Sequence, residues 1–274
     1  MELVEVNNTN YAVYVHQQDE NLPWLLMLHG FMGDHRVFEH LVEELFESCN
    51  PVTIDLLGHG KSSKPTDPKR YNEHKQINDI YRLVHTLNIF PLFLYGYSMG
   101  GRLALKTAFS TPELFKGLIL ESTTNGITDE QQRKERRHTD EQRAKQVESN
   151  YEDFLSKWEE AALFQSPLPA DEILLSNYHN IHLDQDPQAM AASLRGFGTG
   201  SMTPETKYSS GFDGPTLLMA GSGDEKYRKI NDRLTYFFSD VHLCFIEAGH
   251  RIHLDNPSAL SNEINHHIDQ NSFL

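Results

Sequence analysis

The chain has 274 residues, with 24 basic and 39 acidic side chains and a formal net charge of -15. An acidic surface repels nucleic acid and acidic membranes, so we expect neither as a partner. The two cysteines, Cys49 and Cys244, exclude a disulfide framework. The sequence has no signal-peptide pattern, and no apolar run approaches the ~20 residues that span a bilayer, so we expect a cytoplasmic protein with no membrane insertion.

Short apolar runs alternate with amphipathic segments along the chain. Seven runs are predicted strands: 11–15, 24–28, 52–54, 92–95, 117–120, 216–220 and 241–246. Apolar runs that end in small or polar residues are typical of strands buried on both faces. Helices are predicted in the segments between them: 36–46, 78–87, 103–108 and 258–268. The alternation predicts an α/β fold, with a mostly parallel central sheet and helices on both faces.

The alternation breaks between residues 127 and 210, where the sequence is polar, charged and helical. Predicted helices in this stretch are 131–150, 151–164, 171–178 and 187–195. Ligands of parallel sheets bind beyond the carboxyl ends of the strands, so we expect the stretch to lie over that edge as a lid. The predicted division is a core of residues 1–126 and 211–274 and a helical lid of residues 127–210.

The run Gly96-Tyr97-Ser98-Met99-Gly100 follows a predicted strand and opens a predicted helix. A serine on a sharp strand-to-helix turn presents its hydroxyl to the cleft, and flanking glycines keep other side chains away. The helix N-terminus behind it favours developing negative charge. Ser98 is therefore the predicted centre of the chemistry.

A reactive serine needs a base, and the base needs an orienting carboxylate. Asp224 and His250 each follow directly on a predicted strand, and the chain order Ser, Asp, His is that of α/β-hydrolases. The alternative is that Asp224 only caps the next helix and that His250 is one of 15 unremarkable histidines. Three independent placements at strand ends favour a catalytic triad of Ser98, His250 and Asp224.

The segment His29-Gly30-Phe31-Met32-Gly33 follows the strand 24–28. In this position the backbone N–H groups of Phe31 and Met99 would form an oxyanion hole. The alternative is an ordinary turn.

Five segments together resemble the α/β-hydrolase superfamily across nearly the whole chain: 29–31, 55–60, 96–100, 221–224 and 248–250. A narrower set resembles the SHCHC synthases (2-succinyl-6-hydroxy-2,4-cyclohexadiene-1-carboxylate synthases, MenH): Gly100-Gly101-Arg102, Glu121–Ile127 with the Arg-rich helix after it, and Leu194–Gly200. Asn125 stands where that family leads us to expect proline.

The resemblance implies a lyase of menaquinone biosynthesis. Its substrate is 2-succinyl-5-enolpyruvyl-6-hydroxy-3-cyclohexene-1-carboxylate, a ring with three carboxylates. The triad would abstract a ring proton, with Ser98 as the base, and pyruvate would leave in a 2,5-elimination.

The residues themselves also favour an anionic, small-molecule polycarboxylate substrate. Residues 133–145 hold six basic and three acidic side chains in an otherwise acidic chain, and Arg offers carboxylates a bidentate fork. Arg133, Arg136 and Arg137 share one helix face, although each could equally belong to a solvated helix. The predicted substrate-binding residues are Arg102, Arg136, Arg195, Tyr97 and Trp158.

The main alternative is a serine hydrolase, such as a carboxylesterase, thioesterase or C–C bond hydrolase, in which Ser98 is the acyl nucleophile. A non-catalytic binding module on the same fold is a third alternative, which the intact triad disfavours. We expect no metal and no cofactor, because His-Glu-x-x-His is missing and no Gly-x-Gly-x-x-Gly follows a strand. The sequence leaves the oligomeric state open.

Overall fold

The structure is a computed structural model that describes residues 1–169, 171–205 and 212–272. The strands are β1 (Glu2–Val6), β2 (Thr9–Val15), β3 (Trp24–Leu28), β4 (Asn50–Ile54), β5 (Leu92–Tyr97), β6 (Phe115–Glu121), β7 (Thr216–Gly221) and β8 (Val241–Ile246). The α-helices are α1 (Glu73–Leu87), α2 (Met99–Ser110), α3 (Glu130–Ser149), α4 (Tyr151–Glu159), α5 (Glu172–Leu183), α6 (Pro187–Phe197), α7 (Glu225–Leu234), α8 (Ile252–Asp255) and α9 (Pro257–Asn271). Within the described ranges, no helix is long and apolar enough to cross a membrane.

The strands form one sheet in the order β1-β2-β4-β3-β5-β6-β7-β8. β1 pairs antiparallel with β2, and β2 antiparallel with β4, whereas the other neighbours run parallel. The predicted α/β fold with a mostly parallel sheet is confirmed. The sequence analysis did not predict β1, because the apolar residues of this edge strand alternate with exposed glutamates and form no continuous apolar run.

Alternate residues of the central strands enter two hydrophobic clusters on opposite faces of the sheet. Leu26 packs in a cluster with side chains of α1 and α2, whereas Leu25 packs in a cluster with side chains of α9. A parallel sheet is stable with both faces covered in this way, which explains its continuous apolar runs.

The predicted helix 36–46 is wrong. The chain instead forms two short 3₁₀ helices, His35–Phe38 and Val42–Leu45. The buried side chains of this segment recur every three or four residues, and 3₁₀ turns bury the same face as an α-helix would. The apolar pattern alone therefore did not distinguish the two conformations.

Helices α3 to α6 lie between β6 and β7 in the chain. Their apolar side chains form a third cluster, which includes Val147, Phe154 and Met190 and reaches Met32 of the core. This agrees with a helical insertion at the expected place. The far boundary of the lid, between residues 210 and 211, lies outside the described residues, so the division into lid and core remains a prediction.

Helix α2 approaches the sheet very closely where it begins. A Cβ atom on Gly100 would lie 2.2 Å from the carbonyl oxygen of Leu28 and 2.5 Å from that of His29. A Cβ on Gly96 would lie 2.6 Å from the carbonyl oxygen of Gly100. These two glycines therefore let the helix start directly above the end of β5.

We expect Gly100→Ala to lower the free energy of unfolding by about 1–3 kcal/mol, because the new methyl group overlaps backbone atoms that cannot move aside. Chemical denaturation measures this change. Ser110→Ala, at the exposed end of the same helix, is the control and should stay within about 0.5 kcal/mol. A Gly100→Ala protein as stable as the control would contradict the close packing.

Candidate active site

Ser98 occupies a strained turn between β5 and α2, with φ 50° and ψ -104°. Three hydrogen bonds fix its backbone: its N–H donates to the carbonyl oxygen of Glu121 at 2.9 Å, and its carbonyl oxygen accepts from Thr123 Oγ1 at 2.8 Å and from the N–H of Arg102 at 3.1 Å. Such strain persists only where the surroundings enforce it, and it is typical of functional residues.

The structure brings the three predicted triad residues together. His250 Nδ1 lies 2.7 Å from Asp224 Oδ2, and His250 Nε2 lies 3.2 Å from Ser98 Oγ. Because Nδ1 faces a carboxylate, we assign the proton to it, which leaves Nε2 to accept the serine proton. The arrangement can make Ser98 either a base or a nucleophile.

Asp224 also begins α7. Its Oδ1 accepts from the N–H of Tyr227 at 3.1 Å, while its Oδ2 holds His250. Asp224 therefore does cap the helix, but it does not only cap it: one carboxylate performs both roles with different oxygens.

Burial lowers the pKa of His250, and the hydrogen bond that its Nδ1 donates to Asp224 opposes this shift. The imidazole is almost completely buried, which disfavours its charged form. His250 is therefore neutral, and competent as a base, at pH 7.

The two predicted oxyanion donors, Phe31 and Met99, both line the cavity above Ser98. Met99 is the first residue of α2, so its N–H has no acceptor within the helix. Within the described ranges, the N–H of Phe31 makes no backbone hydrogen bond. Both amides are thus available, and the oxyanion hole remains a prediction.

A cavity of about 270 Å³ lies above Ser98 and His250, between the core and helices α3 to α6. Four cationic side chains line it whose charges are not fully paired with carboxylates of the described residues: Arg102, Arg136, Arg143 and Lys226. Lys157 also lines it, but its Nζ pairs with Asp153 at 2.6 Å. The cavity is therefore suited to an anionic ligand.

Arg102, one helical turn beyond Ser98, lies in the cavity as predicted. It is only 8% exposed, donates to the carbonyl oxygen of Phe197 at 2.8 Å and packs over the Phe197 ring. Burial, followed by the nearby cation Arg136, lowers its pKa to about 10. An anion bound beside it would relieve both effects.

Arg136 lies in the cavity as well, with its Nε 2.8 Å from Asp140 Oδ1. The other two arginines of the predicted cationic face point elsewhere. Arg133 and Arg137 both pair with the exposed Glu130.

The prediction that Arg195 binds substrate disagrees with the structure. Its guanidinium pairs with Glu141 at 2.9 Å and with Glu148, so α6 turns it toward α3 rather than into the cavity. Helix position alone did not determine this, since the choice of partner depends on the packing of α6 against α3.

Arg143 and Lys226 were not predicted. Arg143 follows Arg136 by seven residues, two helical turns, so a stricter use of the helical period would have found it. Lys226 comes two residues after Asp224, at the start of α7. Burial and the neighbouring Arg136 lower the pKa of both side chains.

Tyr97 and Trp158 both form walls of the cavity, as expected. Trp158 stacks on Phe154 and meets the edge of Phe31, at ring-centre distances of 5.7 and 5.6 Å. The Arg143 guanidinium lies 5.5 Å from the Trp158 ring. Trp158 thus positions a cation as well as filling the lid interior.

Asp34, His35 and Asp55 are close enough together to suggest a metal site. Their oxygens are already engaged, however. Asp34 binds the Arg36 guanidinium through both oxygens. Asp55 accepts from His35 Nδ1 and from the N–H groups of His35 and Lys61. The cluster is better explained as a hydrogen-bond network that supports the loop after β4.

The strained serine, the triad and the sheet order define the class of protein. Residues 23–257 match the alpha/beta hydrolase fold family, and the chain belongs to it.

Relatives narrow this further. A putative 2-succinyl-6-hydroxy-2,4-cyclohexadiene-1-carboxylate synthase of Bacillus subtilis is 33% identical over 85% of each chain. The synthase of that name from Klebsiella pneumoniae is 29% identical, over 87% of this chain and 90% of its own. The structure of MenH from S. aureus matches with a TM-score of 0.86 at 30% identity, covering 96% of this chain and 98% of that one. Within the alpha/beta hydrolases, the chain belongs to the family of these synthases, which confirms the resemblance.

The rate at which a fluorophosphonate labels Ser98 should depend on the protonation of His250. The pKa of His250 lies below its usual 6.5, so labelling should be constant near pH 7 and should fall only as the pH drops through that lowered pKa. A rate profile between pH 4 and 9 measures this. A midpoint above pH 7 would contradict the assignment of a neutral, buried base.

Asp224→Asn should separate catalysis from helix capping. Asparagine caps helices as well as aspartate does, so the thermal midpoint should be nearly unchanged. Labelling of Ser98 should slow by about 10³–10⁴-fold, because the amide no longer holds His250 in the required tautomer. Loss of folding together with labelling would mean that Asp224 acts mainly as a cap.

Proposed function

We propose that this chain is a carbon–oxygen lyase of menaquinone biosynthesis. It would eliminate pyruvate from 2-succinyl-5-enolpyruvyl-6-hydroxy-3-cyclohexene-1-carboxylate and give 2-succinyl-6-hydroxy-2,4-cyclohexadiene-1-carboxylate. The names of the relatives support this reaction, and so does the charge of the cavity.

The charge of the cavity is the observation that carries the proposal. Of the four cations Arg102, Arg136, Arg143 and Lys226, Arg136 is the one with a carboxylate of the described residues within 3 Å, that of Asp140. Arg143 shares the same carboxylate at 3.6 Å. The described part of the cavity therefore carries an excess of positive charge, and the substrate brings three carboxylates.

Arg102 is buried, whereas Arg136 and Arg143 are partly exposed and Lys226 is exposed. Burial of Arg102 and repulsion among these like charges are both costly, and an anionic ligand beside the catalytic serine would offset the cost. A neutral ester would leave these charges unpaired. A tricarboxylate would pair them, and the bidentate geometry of arginine would orient the ring above Ser98.

In the proposed mechanism Ser98 acts as a base. Its hydroxyl proton passes to His250 Nε2, and the serine oxygen takes a proton from the ring. The electron pair of that C–H bond forms a new ring double bond, the existing ring double bond shifts by one position, and the bond to the enolpyruvyl oxygen breaks with its electron pair on that oxygen. Asp224 stabilises the imidazolium, and the N–H groups of Phe31 and Met99 would accept charge that develops on the substrate.

We also propose that residues 127–210 act as a lid, since Arg136 and Arg143 come from α3 whereas Arg102 and Lys226 belong to the core. Substrate carboxylates would then bridge the two parts. The low cysteine content and acidic composition support a cytoplasmic location.

The test is to incubate the purified protein with the enolpyruvyl substrate and follow pyruvate release together with the mass of the diene. We expect equal amounts of the two products. An aryl ester is assayed in parallel, because the triad also suits a serine hydrolase. Efficient ester hydrolysis without pyruvate release would overturn the lyase assignment.

Arg136→Ala and Arg143→Ala should each raise KM for the tricarboxylate by about 10–100-fold, the usual cost of losing a charge-assisted hydrogen bond. Arg137→Ala is the matched control on the same helix, since Arg137 pairs with Glu130 outside the cavity, and it should leave KM unchanged. Steady-state kinetics of pyruvate release measure all three. Equal KM values for Arg136→Ala and the control would remove the carboxylate-binding role.

A further inference from the structure

A second carboxylate–imidazole–hydroxyl array lies beside the triad. His253 Nδ1 lies 2.9 Å from Glu121 Oε1, and His253 Nε2 lies 3.2 Å from the Tyr178 hydroxyl. The order of groups is that of Asp224, His250 and Ser98. Tyr178, like Ser98, lines the cavity.

The inner end of this array is fully buried and held by hydrogen bonds. Glu121 and His253 are both inaccessible to solvent. Glu121 also accepts from the Tyr95 hydroxyl and, at 3.2 Å, from the backbone N–H of His253. These hydrogen bonds fix the orientation of both side chains and turn His253 Nε2 toward the Tyr178 hydroxyl.

The outer end of the array keeps the Tyr178 hydroxyl protonated among polar neighbours. The Tyr178 oxygen interacts with both Tyr97 and His253. The Arg251 guanidinium lies 5.2 Å from the Tyr178 ring. Burial raises the pKa of the Tyr178 hydroxyl, and Arg251 and the hydrogen bond from Tyr97 oppose that effect.

Arg251 packs between two aromatic rings, with its guanidinium 4.8 Å from the centre of the Phe164 ring and 5.2 Å from that of Tyr178. It is only 8% exposed, and in the described part of the chain no carboxylate pairs with it. Its Nε is buried without a hydrogen bond. This cation would therefore stabilise negative charge that develops on Tyr178 during proton transfer.

We propose that Tyr178 is the catalytic acid of the elimination, donating its proton to the oxygen of the departing enolpyruvyl group, and that His253, positioned by Glu121, replaces that proton. This inference rests on the proposed lyase function. It gives the cavity a base, Ser98, and a separate acid.

The protons and electrons balance. The ring proton goes to Ser98, whose own proton has passed to His250, and the C–H electron pair forms a new ring double bond. The existing ring double bond shifts by one position and expels the leaving oxygen, which keeps the C–O pair, takes the Tyr178 proton and gives the enol of pyruvate. The Tyr178 phenolate then takes a proton from His253. After pyruvate leaves, one proton returns to His253 through the Tyr178 hydroxyl, which faces the cavity, and His250 releases one proton.

His250 must be neutral to take the serine proton, so kcat should fall as the pH drops through its lowered pKa. The titratable and charged groups packed around Tyr178 and His253 are Tyr95, Tyr97, Glu121, His40, His182, His250, Arg251 and Asp255. Removing the acid should lower kcat at every pH and leave the acid limb set by His250 in place.

The test is Tyr178→Phe, which deletes one hydroxyl. We expect kcat for pyruvate release to fall about 10²-fold or more, the usual contribution of a general acid, with the acid limb unchanged. Labelling of Ser98 by a fluorophosphonate needs no proton from Tyr178 and should stay within twofold of the wild type. Tyr151→Phe is the matched control, since this lid hydroxyl bonds only the carbonyl oxygen of His182, and it should keep the wild-type profile.

His253→Gln is the second variant. It keeps the Tyr178 hydroxyl but cannot return a proton, so kcat should fall while Ser98 labelling stays within twofold of the wild type. Wild-type kcat and profile in Tyr178→Phe would overturn the proposal, and so would parallel loss of Ser98 labelling, which would make the array structural. If the wild-type protein releases no pyruvate, it is the proposed function that fails; if it does and Tyr178→Phe matches it, only the acid assignment fails.

Discussion

The backbone turn at Ser98 is the constraint on which the rest of the site depends. Its positive φ holds the hydroxyl above the sheet, and Gly96 and Gly100 allow α2 to begin there in contact with the backbone of β3. The same turn directs the N–H of Met99 and the Arg102 side chain toward the cavity. One strained residue thus positions a reactive oxygen, a possible oxyanion donor and a cation.

The cavity combines this turn with an unusual charge distribution. The chain as a whole is strongly acidic, yet four cations meet around Ser98 with little compensation. Burial, and then repulsion from Arg136, lowers the pKa of Arg102, so this residue is held at a cost in stability. The same two causes lower the pKa values of Arg143 and Lys226, which are more exposed. A polycarboxylate would recover this cost on binding, which couples substrate binding to contact between lid and core.

Much of the site was predictable because its reactive residues directly follow the carboxyl ends of strands. Ser98, Asp224 and His250 each come directly after a buried apolar run, and carboxyl ends of parallel strands meet at one edge. Side-chain direction on the lid helices was less predictable. Arg195 turns outward to two glutamates and Arg143 turns inward, and this choice depends on the packing of α3 against α6.

Sequence patterns also failed to predict parts of the fold and the array of Glu121, His253 and Tyr178. The edge strand β1 lacks an apolar run, and 3₁₀ turns follow the same apolar spacing as a helix. Glu121, His253 and Tyr178 lie far apart in the chain, and only tertiary packing brings them together.

The most direct test of the central claim, that Ser98 is a base, is the intact mass of the enzyme quenched during turnover of the enolpyruvyl substrate. We predict an unchanged mass at every time point while pyruvate accumulates. A transient adduct on the peptide that contains Ser98 would show that the serine is a nucleophile and would contradict the account.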